Sequence, residues 1–246
     1  MTHPAPSRRH AIAEDLRNQI STGRLRVGER LPSEAQLAAR YKVSTPTLRN
    51  ALALLQGEGL IEKIHGSGNF IRHPLHKITY LGGGHTRAVQ LAPDGVLSVS
   101  VSTTNLRAQG PLATLLKVAP RSPLTEFLHL CHDGTTPHSL TRVYVPRDLA
   151  PAVIPDPPSC SVVTATLASL RPPLAEVQER INARLPTPEE AAVLRISQSL
   201  AILVITRVAT DVIGRVVEAA ILVLPGDRSD ALFATRHAPE EGNSNK

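Results

Sequence analysis

The stretch "LPSEAQLAARYKVSTPTLRNALALLQGEGLIEKIHGSGNFI", Leu31 to Ile71, decides the fold of the first third of this 246-residue chain. Ser33 and Gln36 have the Ser-x-x-Gln spacing of a capping box, which predicts that a helix begins after Ser33. Ser44 is a second candidate N-cap, and Pro46 follows in the first turn, where its missing N–H is harmless. The stretch therefore predicts two consecutive helices joined by a short turn.

The second of these helices has two faces of different chemistry. The residues of its apolar face are Leu48, Ala51, Leu52 and Leu55. The residues of its other face are small or polar, namely Thr45, Pro46, Arg49 and Asn50. Such a face lets a helix N-terminus approach a DNA groove, where N–H groups favour phosphate and Arg or Asn can pair with base edges. A face that is merely solvated has the same pattern, so this helix alone leaves both interpretations open.

The segments on either side complete a small domain. Upstream, Ile12, Leu16 and Ile20 recur every fourth residue, which predicts an amphipathic helix that ends at Gly23. Downstream, "LIEKIHGSGNFI" alternates around Gly-Ser-Gly, which predicts a β-hairpin. Its predicted strands and basic residues are Leu60–Ile64, Asn69–Ile71, His65 at the tip, and the flanking Lys63 and Arg72. Three helices followed by a basic hairpin predict a winged helix-turn-helix.

Charge and composition agree with a DNA partner and a reducing compartment. Residues 1–73 hold 11 Lys and Arg against 6 Asp and Glu, whereas residues 74–246 hold 16 against 15, so the basic surplus lies in the first third. No stretch has the length of a membrane span, and the N-terminus lacks the apolar core of a secretory signal. The two cysteines, Cys131 and Cys160, form no disulfide framework. We therefore predict a cytoplasmic protein without a membrane partner.

The order "LPSEAQLAARYKVSTPTLRNALALLQGEGLI…HGSGNFI" resembles the DNA-binding domain of the GntR family of bacterial transcription regulators over about residues 8–73. The resemblance implies DNA contacts at Ser33, Ser44, Thr45, Thr47, Arg49, His65 and Gly66. Asn50 and Lys63 join this set by their positions on the helix and hairpin. Two arginines common in the family are replaced here by Ala35 and Thr45. Arg49 remains as the candidate for contact with a base or a phosphate. We expect the operator to differ from the common family site at the base pair that the missing Arg would contact.

The chain divides into four predicted segments. Pro74 and the run Gly82-Gly83-Gly84 break regular structure, and no Lys-Ser/Thr follows the glycines as in a phosphate-binding loop. The predicted segments are a winged helix-turn-helix domain at 1–73, a linker at 74–90, an effector-binding and dimerisation domain at 91–236, and a disordered tail at 237–246.

The third segment predicts an α+β domain with an antiparallel sheet. Strands are predicted in "LSVSVST", in "PLTEFLHLC" and "PHSLTRVYV" around an Asp-Gly turn, and in "LAILVITRVATD" and "RVVEAAILVL" around Gly214. Helices are predicted in "GPLATLLKV", "SVVTATLASL" and "TPEEAAVLRIS", the last capped at Thr187. The segment "LAEVQERINARL" fits a helix by its apolar spacing and a strand by its alternating polar residues.

This half resembles the effector-binding domain of the HutC subfamily of GntR regulators, which has a chorismate-lyase-like fold. The pattern covers about residues 85–234 and includes the Asp-Gly turn, "VYVP", "PEEAAVLRI" and "LVITRVATDVIGRVVEAA". In relatives the effector pocket lies on the sheet. The family's pocket positions, carried over to this chain, are His129, Thr141, Ser161 and Glu218. Only Ser161 and Glu218 match the family in residue type.

In relatives an arginine stands at the position of His129 and an acid at the position of Thr141, and the loss of both bears on the effector. A neutral His or Cys cannot replace the paired hydrogen bonds of Arg, and His129 and Cys131 share one face of their strand. We expect an effector less anionic than the sugar phosphates and carboxylates of some relatives, or one bound by another cation such as Arg142 or Arg207. A core histidine is the alternative for His129. Glu218 is a stronger candidate because an acid within "VVEAAILVL" is costly to bury without a partner.

The sequence thus predicts a homodimeric transcription regulator, repressor in type, that binds an inverted-repeat operator in double-stranded DNA and responds to a small-molecule effector. It contains no hydrolase, metalloprotease or phosphate-loop motif and no metal-ligand spacing, so we predict no catalytic residues, no metal and no cofactor. Three alternatives remain: an effector-independent plasmid- or gene-control protein, an enzyme built on the lyase-like domain, and a redox sensor that uses Cys131 and Cys160.

Overall fold

The computed structural model describes residues 7–64, 66–72, 77–82, 97–150 and 174–233. The first domain contains three helices and a hairpin. They are α1 Arg8–Ser21, α2 Glu34–Tyr41, α3 Thr45–Gly57, β1 Ile61–Ile64 and β2 Gly68–Ile71, with β1 and β2 antiparallel. This is the winged helix-turn-helix predicted from sequence. The described hairpin strands begin within one residue of the predicted ones, while His65 at the tip lies outside the described residues.

Local signals account for the helix boundaries. The capping box of α2 is confirmed, because Ser33 Oγ accepts from the Gln36 N–H at 3.3 Å and Gln36 Oε1 accepts from the Ser33 N–H at 2.9 Å. Ser44 precedes α3, but its hydroxyl bonds Thr47 Oγ1 at 2.9 Å instead of a backbone N–H. Gly59 follows α3 with a φ of +73°, a conformation that favours glycine.

A single apolar core holds this domain together. Its buried residues are Ile12, Ala13, Leu16, Leu31, Leu37, Ala38, Leu48, Ala51, Leu52, Leu55, Ile61 and Ile71. The predicted apolar face of α3 is buried in this core. The hairpin is tied to α3 by Gln56, whose amide donates to Asn69 Oδ1 at 3.0 Å. The position of the wing beside the third helix is therefore fixed by packing and by a hydrogen bond.

The second domain is built on a six-stranded antiparallel sheet. Its elements are β4 Leu97–Arg107, α4 Gly110–Leu115, β5 Pro123–Asp133, β6 Thr136–Pro146, β7 Leu174–Arg184, α5 Pro188–Leu194, β8 Ile202–Asp211 and β9 Val216–Pro225. The strand order is β4-β5-β6-β9-β8-β7. The ambiguous segment "LAEVQERINARL" is strand β7, paired along its length with β8. The predicted helix "SVVTATLASL" lies outside the described residues.

The structure differs from the sequence prediction in the segment expected to be a linker. Ile78–Gly82 forms strand β3, which pairs in parallel with β10, Ser229–Phe233. Tyr80 of β3 is fully buried in the core beneath the sheet. A linker was predicted because the glycines at 82–84 break regular structure. Burial of the apolar side chains of Ile78 and Tyr80 stabilises the strand that precedes them. This part of the predicted linker belongs to the second domain.

Within the described ranges, no helix is both long and apolar enough to cross a membrane.

Candidate functional site

The predicted DNA-contacting residues lie together on the surface of the first domain. Six of them are exposed, namely Ser33, Ser44, Arg49, Asn50, Lys63 and Gly66. Thr45 and Thr47 are half-buried in the first turn of α3. His65 lies outside the described residues. The described members of this set thus lie at the starts of α2 and α3 and in the wing.

A groove of about 400 Å³ separates α2, α3 and the wing. Four predicted contact residues line it, namely Ser33, Thr45, Arg49 and Lys63. Free N–H groups at the start of the 13-residue helix α3 face an anionic partner favourably. The arrangement suits a DNA backbone and base edges, with Arg49 as the longest donor on α3.

Glu34 is a member of this surface that was missed from the sequence. Its carboxylate accepts from Arg49 Nε at 2.6 Å and lies 3.9 Å from Lys63 Nζ. Arg49 keeps 64% of its side chain exposed in spite of this pair. Because Glu34 engages only Nε, the terminal nitrogens of Arg49 remain for acceptors on DNA. The signal in the sequence was an acid placed directly after the N-cap Ser33.

Arg72 does not join this surface. Its side chain is 8% exposed and donates to Asp227, in the turn between β9 and β10 of the second domain. The sequence analysis described Arg72 as a basic residue flanking the hairpin, and the structure assigns its charge to a contact between domains instead.

The strand register places most predicted effector residues on one face of the sheet. His129 on β5 is directly opposite Thr141 on β6, which is opposite Leu222 on β9. Arg207 on β8 is opposite Ala220, and Ala209 is opposite Glu218. Since alternate residues of a strand share a face, His129, Thr141, Arg207 and Glu218 all lie on the face that also carries the apolar core around Phe127 and Tyr80.

Three of these side chains are buried and make no hydrogen bond within the described ranges. His129, Arg207 and Glu218 are each 1% exposed, and within the described part of the chain none of their side-chain nitrogen or oxygen atoms has a hydrogen-bond partner. Burial raises the pKa of Glu218 to about 8, although Arg207 lowers it. Burial also lowers the pKa of His129 to about 4. At neutral pH this face therefore presents a protonated carboxyl, a neutral imidazole and a guanidinium.

The polar side chains form two groups on this face. Arg207 and Glu218 are diagonal neighbours on β8 and β9, whereas His129 and Thr141 lie on β5 and β6. Apolar Val143, Ala220 and Leu222 separate the groups. A ligand that contacts both must cross an apolar surface.

The remaining predicted effector residues have different positions. Cys131 is buried on the same face as His129. Arg142 lies on the opposite face, where it donates to Glu126 at 3.0 Å and to Glu189 of α5 at 2.5 Å. Ser161, like Cys160, lies outside the described residues. The structure thus groups Arg207 with Glu218 and sets Arg142 apart.

Two further residues of this face were missed from the sequence. The Tyr80 hydroxyl donates to Glu179 Oε1 at 2.6 Å, and the same oxygen is 3.8 Å from Arg207 Nε. Burial and this bond raise the pKa of Tyr80 above its usual value. Tyr80 comes from β3 and Glu179 from β7, so only the tertiary structure brings them to Arg207. No group of three or more metal-ligand residues occurs among the described residues.

Comparison with known families assigns both domains. Residues 8–71 match the family "Bacterial regulatory proteins, gntR family", and residues 98–230 match the "UTRA domain". The chain belongs to the GntR family. It has the domain combination of the HutC-type GntR regulators and is a DNA-binding transcription regulator controlled through its UTRA domain.

Curated relatives of this GntR-family regulator match over most of its length. A helix-turn-helix transcriptional regulator of Rhizobium meliloti is 28% identical over 224 residues, which cover 88% of this chain and 90% of the relative. The transcriptional repressor NagR of Bacillus subtilis is 25% identical over 221 residues, covering 89% and 90%. The regulator SmoD of Agrobacterium fabrum is 48% identical, but only over 61 residues, a quarter of this chain.

Solved structures show the same fold. PhnF from Mycobacterium smegmatis superimposes with a TM-score of 0.53 at 20% identity, covering 92% of this GntR-family chain and all of that one. The C-terminal domain of the histidine utilization repressor from Pseudomonas syringae pv. tomato gives a TM-score of 0.50 at 21% identity, covering 58% of this chain and 99% of that domain. The winged helix-turn-helix and antiparallel-sheet architecture predicted from sequence is therefore confirmed.

Proposed function

We propose that this GntR-family regulator is a cytoplasmic repressor that binds an inverted-repeat operator as a homodimer and leaves it when an effector occupies the sheet face. The observation that supports the effector site is the burial of His129, Arg207 and Glu218 on one face of the sheet, with no hydrogen bond to the described part of the chain. Buried polar groups without partners cost free energy, which a ligand that supplies the partners can recover. The name of NagR, a transcriptional repressor, supports repression as the mode of control.

The geometry favours one of the two effector chemistries left open by the sequence. Arg142 already bonds two carboxylates, whereas Arg207 makes no hydrogen bond among the described residues and adjoins the protonated Glu218. An acceptor-rich group such as a carboxylate would bond the guanidinium and the carboxyl proton together. We therefore propose an effector whose anionic group binds Arg207 and Glu218, and whose neutral polar group reaches His129 and Thr141 across the apolar strip.

No catalytic role is proposed. The relatives are transcriptional regulators, and the DNA-contacting surface accounts for the first domain. His129 on β5 is separated from Glu218 on β9 by the intervening strand β6. Among the described residues, this base and this acid therefore do not converge on one reacting atom.

The operator proposal is tested by selecting bound duplexes from random-sequence DNA with the full chain. We expect the selected duplexes to contain an inverted repeat with half-site centres about one helical turn apart. In fluorescence anisotropy, a duplex with one half-site should bind much more weakly than the repeat. Equal affinity for the half-site would remove the homodimer from the proposal, and the selection of no common sequence would remove the operator.

The effector proposal is tested by thermal unfolding in the presence of carboxylic acids and sugar phosphates. A ligand that binds the folded chain raises its unfolding temperature. We expect the effective compounds to lose this effect on Arg207→Gln and to keep it on Arg142→Gln, a matched control on the opposite sheet face. If Arg142→Gln alone abolishes the response, the effector binds the opposite face of the sheet and the proposed site is wrong. If no compound stabilises the wild type, the effector-independent alternative gains support.

A further inference from the structure

The two domains meet at a small buried ionic contact. Arg72 ends the wing and donates to Asp227, which also accepts from Arg228 Nε at 2.9 Å. Side-chain exposure is 8% for Arg72, 9% for Asp227 and 1% for Arg228. Arg228 in turn donates to the carbonyl of Pro137 at 3.2 Å, at the start of β6. The chain of contacts therefore runs from the wing into the effector sheet.

The turn after the third helix packs on the same carboxylate. Gly59 has a φ of +73°, and a Cβ atom at this position would lie 2.7 Å from Cβ of Asp227. The backbone N–H of Arg72 bonds the carbonyl of Leu60 at 3.0 Å, which joins this turn to the end of the wing. Asp227 thus lies against the turn that follows α3 and binds Arg72 at the end of the wing.

Part of the domain interface beside this contact is open, although Gly57 at the end of α3 lies close to Ser199 of the second domain. A cavity of about 580 Å³ lies between the wing strand Ile61–Ile64 and the C-terminal end of α5 with the turn that follows it, where Arg195 and Ser197 line the cavity. Because the described residues leave this cavity between the domains, the contact made by Asp227 contributes to their relative orientation. Asp227 lies two residues after the end of β9, the strand that carries Glu218.

We propose that Asp227 is a positioning residue that holds the DNA-binding domain at a fixed orientation on the effector domain through Arg72 and Gly59. A buried carboxylate between two guanidiniums defines a geometry closely, and removal of one partner leaves a buried charge. This inference rests on the proposed homodimer, because orientation matters only when two recognition helices must meet two half-sites. A shift at the end of β9 would reach the DNA-contacting surface through this contact.

The test measures affinity of the full chain for the selected inverted repeat and for one half-site by fluorescence anisotropy. The variants are Arg72→Gln, Asp227→Asn and the double variant. We expect each single variant to bind the inverted repeat about fivefold more weakly, since both domains must now be ordered on binding, and to bind the half-site as the wild type does. The double variant should be no weaker than either single variant, because the same contact is lost. Arg72→Lys, which keeps the positive charge, should retain most of the wild-type affinity for the inverted repeat.

Lys63→Gln is the matched control, an exposed cation of the same wing. We expect it to weaken both duplexes and to lower the salt slope of binding by about one, as the loss of a phosphate contact does. The inference fails if Arg72→Gln weakens both duplexes as Lys63→Gln does. It also fails if the losses caused by Arg72→Gln and Asp227→Asn add in the double variant, or if neither substitution changes affinity for the inverted repeat. A wild type that shows no preference for the repeat over the half-site instead contradicts the homodimer itself, and circular dichroism identifies any variant that is unfolded.

Discussion

At the scale of single residues, the ion pair of Arg49 with Glu34 sets the chemistry of the DNA-contacting surface. Arg49→Ala should cost roughly 1–3 kcal/mol of operator binding if Arg49 bonds a base pair. Glu34→Gln should raise affinity for unrelated DNA, because a negative charge is removed, and reduce discrimination between operator variants, because the guanidinium loses its anchor at Nε. Anisotropy with the operator and its single-base variants measures both effects.

The control for this prediction is Arg40→Ala, which removes an exposed cation at the end of α2, outside the groove. It should weaken the operator and unrelated DNA to a similar, small extent. Should Glu34→Gln leave discrimination unchanged, the ion pair is a solvated surface contact with little energetic effect.

At the scale of elements, caps and turns could be predicted from a few neighbouring residues, whereas strands that depend on a distant partner could not. The capping box at Ser33 and the Asp-Gly turn before β6 are encoded within a few residues, and both were predicted. The segment of β7 fitted a helix as well as a strand, and only its pairing with β8 decides between them. Strand β3 was missed because its partner β10 lies at the far end of the chain.

The same limit applies to the candidate sites. Alternation within β6 and β8 shows which residues of one strand share a face, but the register between strands decides whether Arg142 or Arg207 joins Glu218. The ion pair of Arg49 with Glu34 depends on the packing of α2 against α3 across a turn. Resemblance to a family located the contact positions, while the partners Glu34, Tyr80 and Glu179 required the tertiary structure.

At the scale of the whole molecule, the buried groups of the sheet face should control stability against pH. The raised pKa of Glu218, about 8 instead of 4.5, means that the folded chain keeps a proton that the unfolded chain releases above about pH 4.5. The contribution of Glu218 to the free energy of unfolding therefore falls as pH rises from about 4.5 to about 8 and is level above that. Glu218→Gln should flatten this slope and be more stable than wild type at pH 8, by on the order of 2 kcal/mol.

Urea unfolding at pH 5 and pH 8 measures this difference. His129→Gln is the matched comparison, because the lowered pKa of His129 makes wild-type stability fall as pH drops from about 6.5 to about 4, the opposite direction. Because the effect of His129 opposes that of Glu218 between about pH 4.5 and pH 6.5, this variant should lose stability more steeply than the wild type as pH rises from 5 to 8. A wild-type slope in Glu218→Gln between pH 5 and pH 8 would show that Glu218 is ionised in the folded chain.

The pairing of β3 with β10 has a consequence for building chimeric regulators. Arg72 and Lys77 are five residues apart, so the connection between the domains spans at most about 18 Å. A splice at the glycine run 82–84 would transplant β3 together with a foreign DNA-binding domain and leave β10 with a mismatched neighbour. A splice between residues 72 and 77 keeps β3 with its own sheet. The donor would then have to supply an arginine for Asp227, or regulation would be uncoupled from an otherwise folded protein.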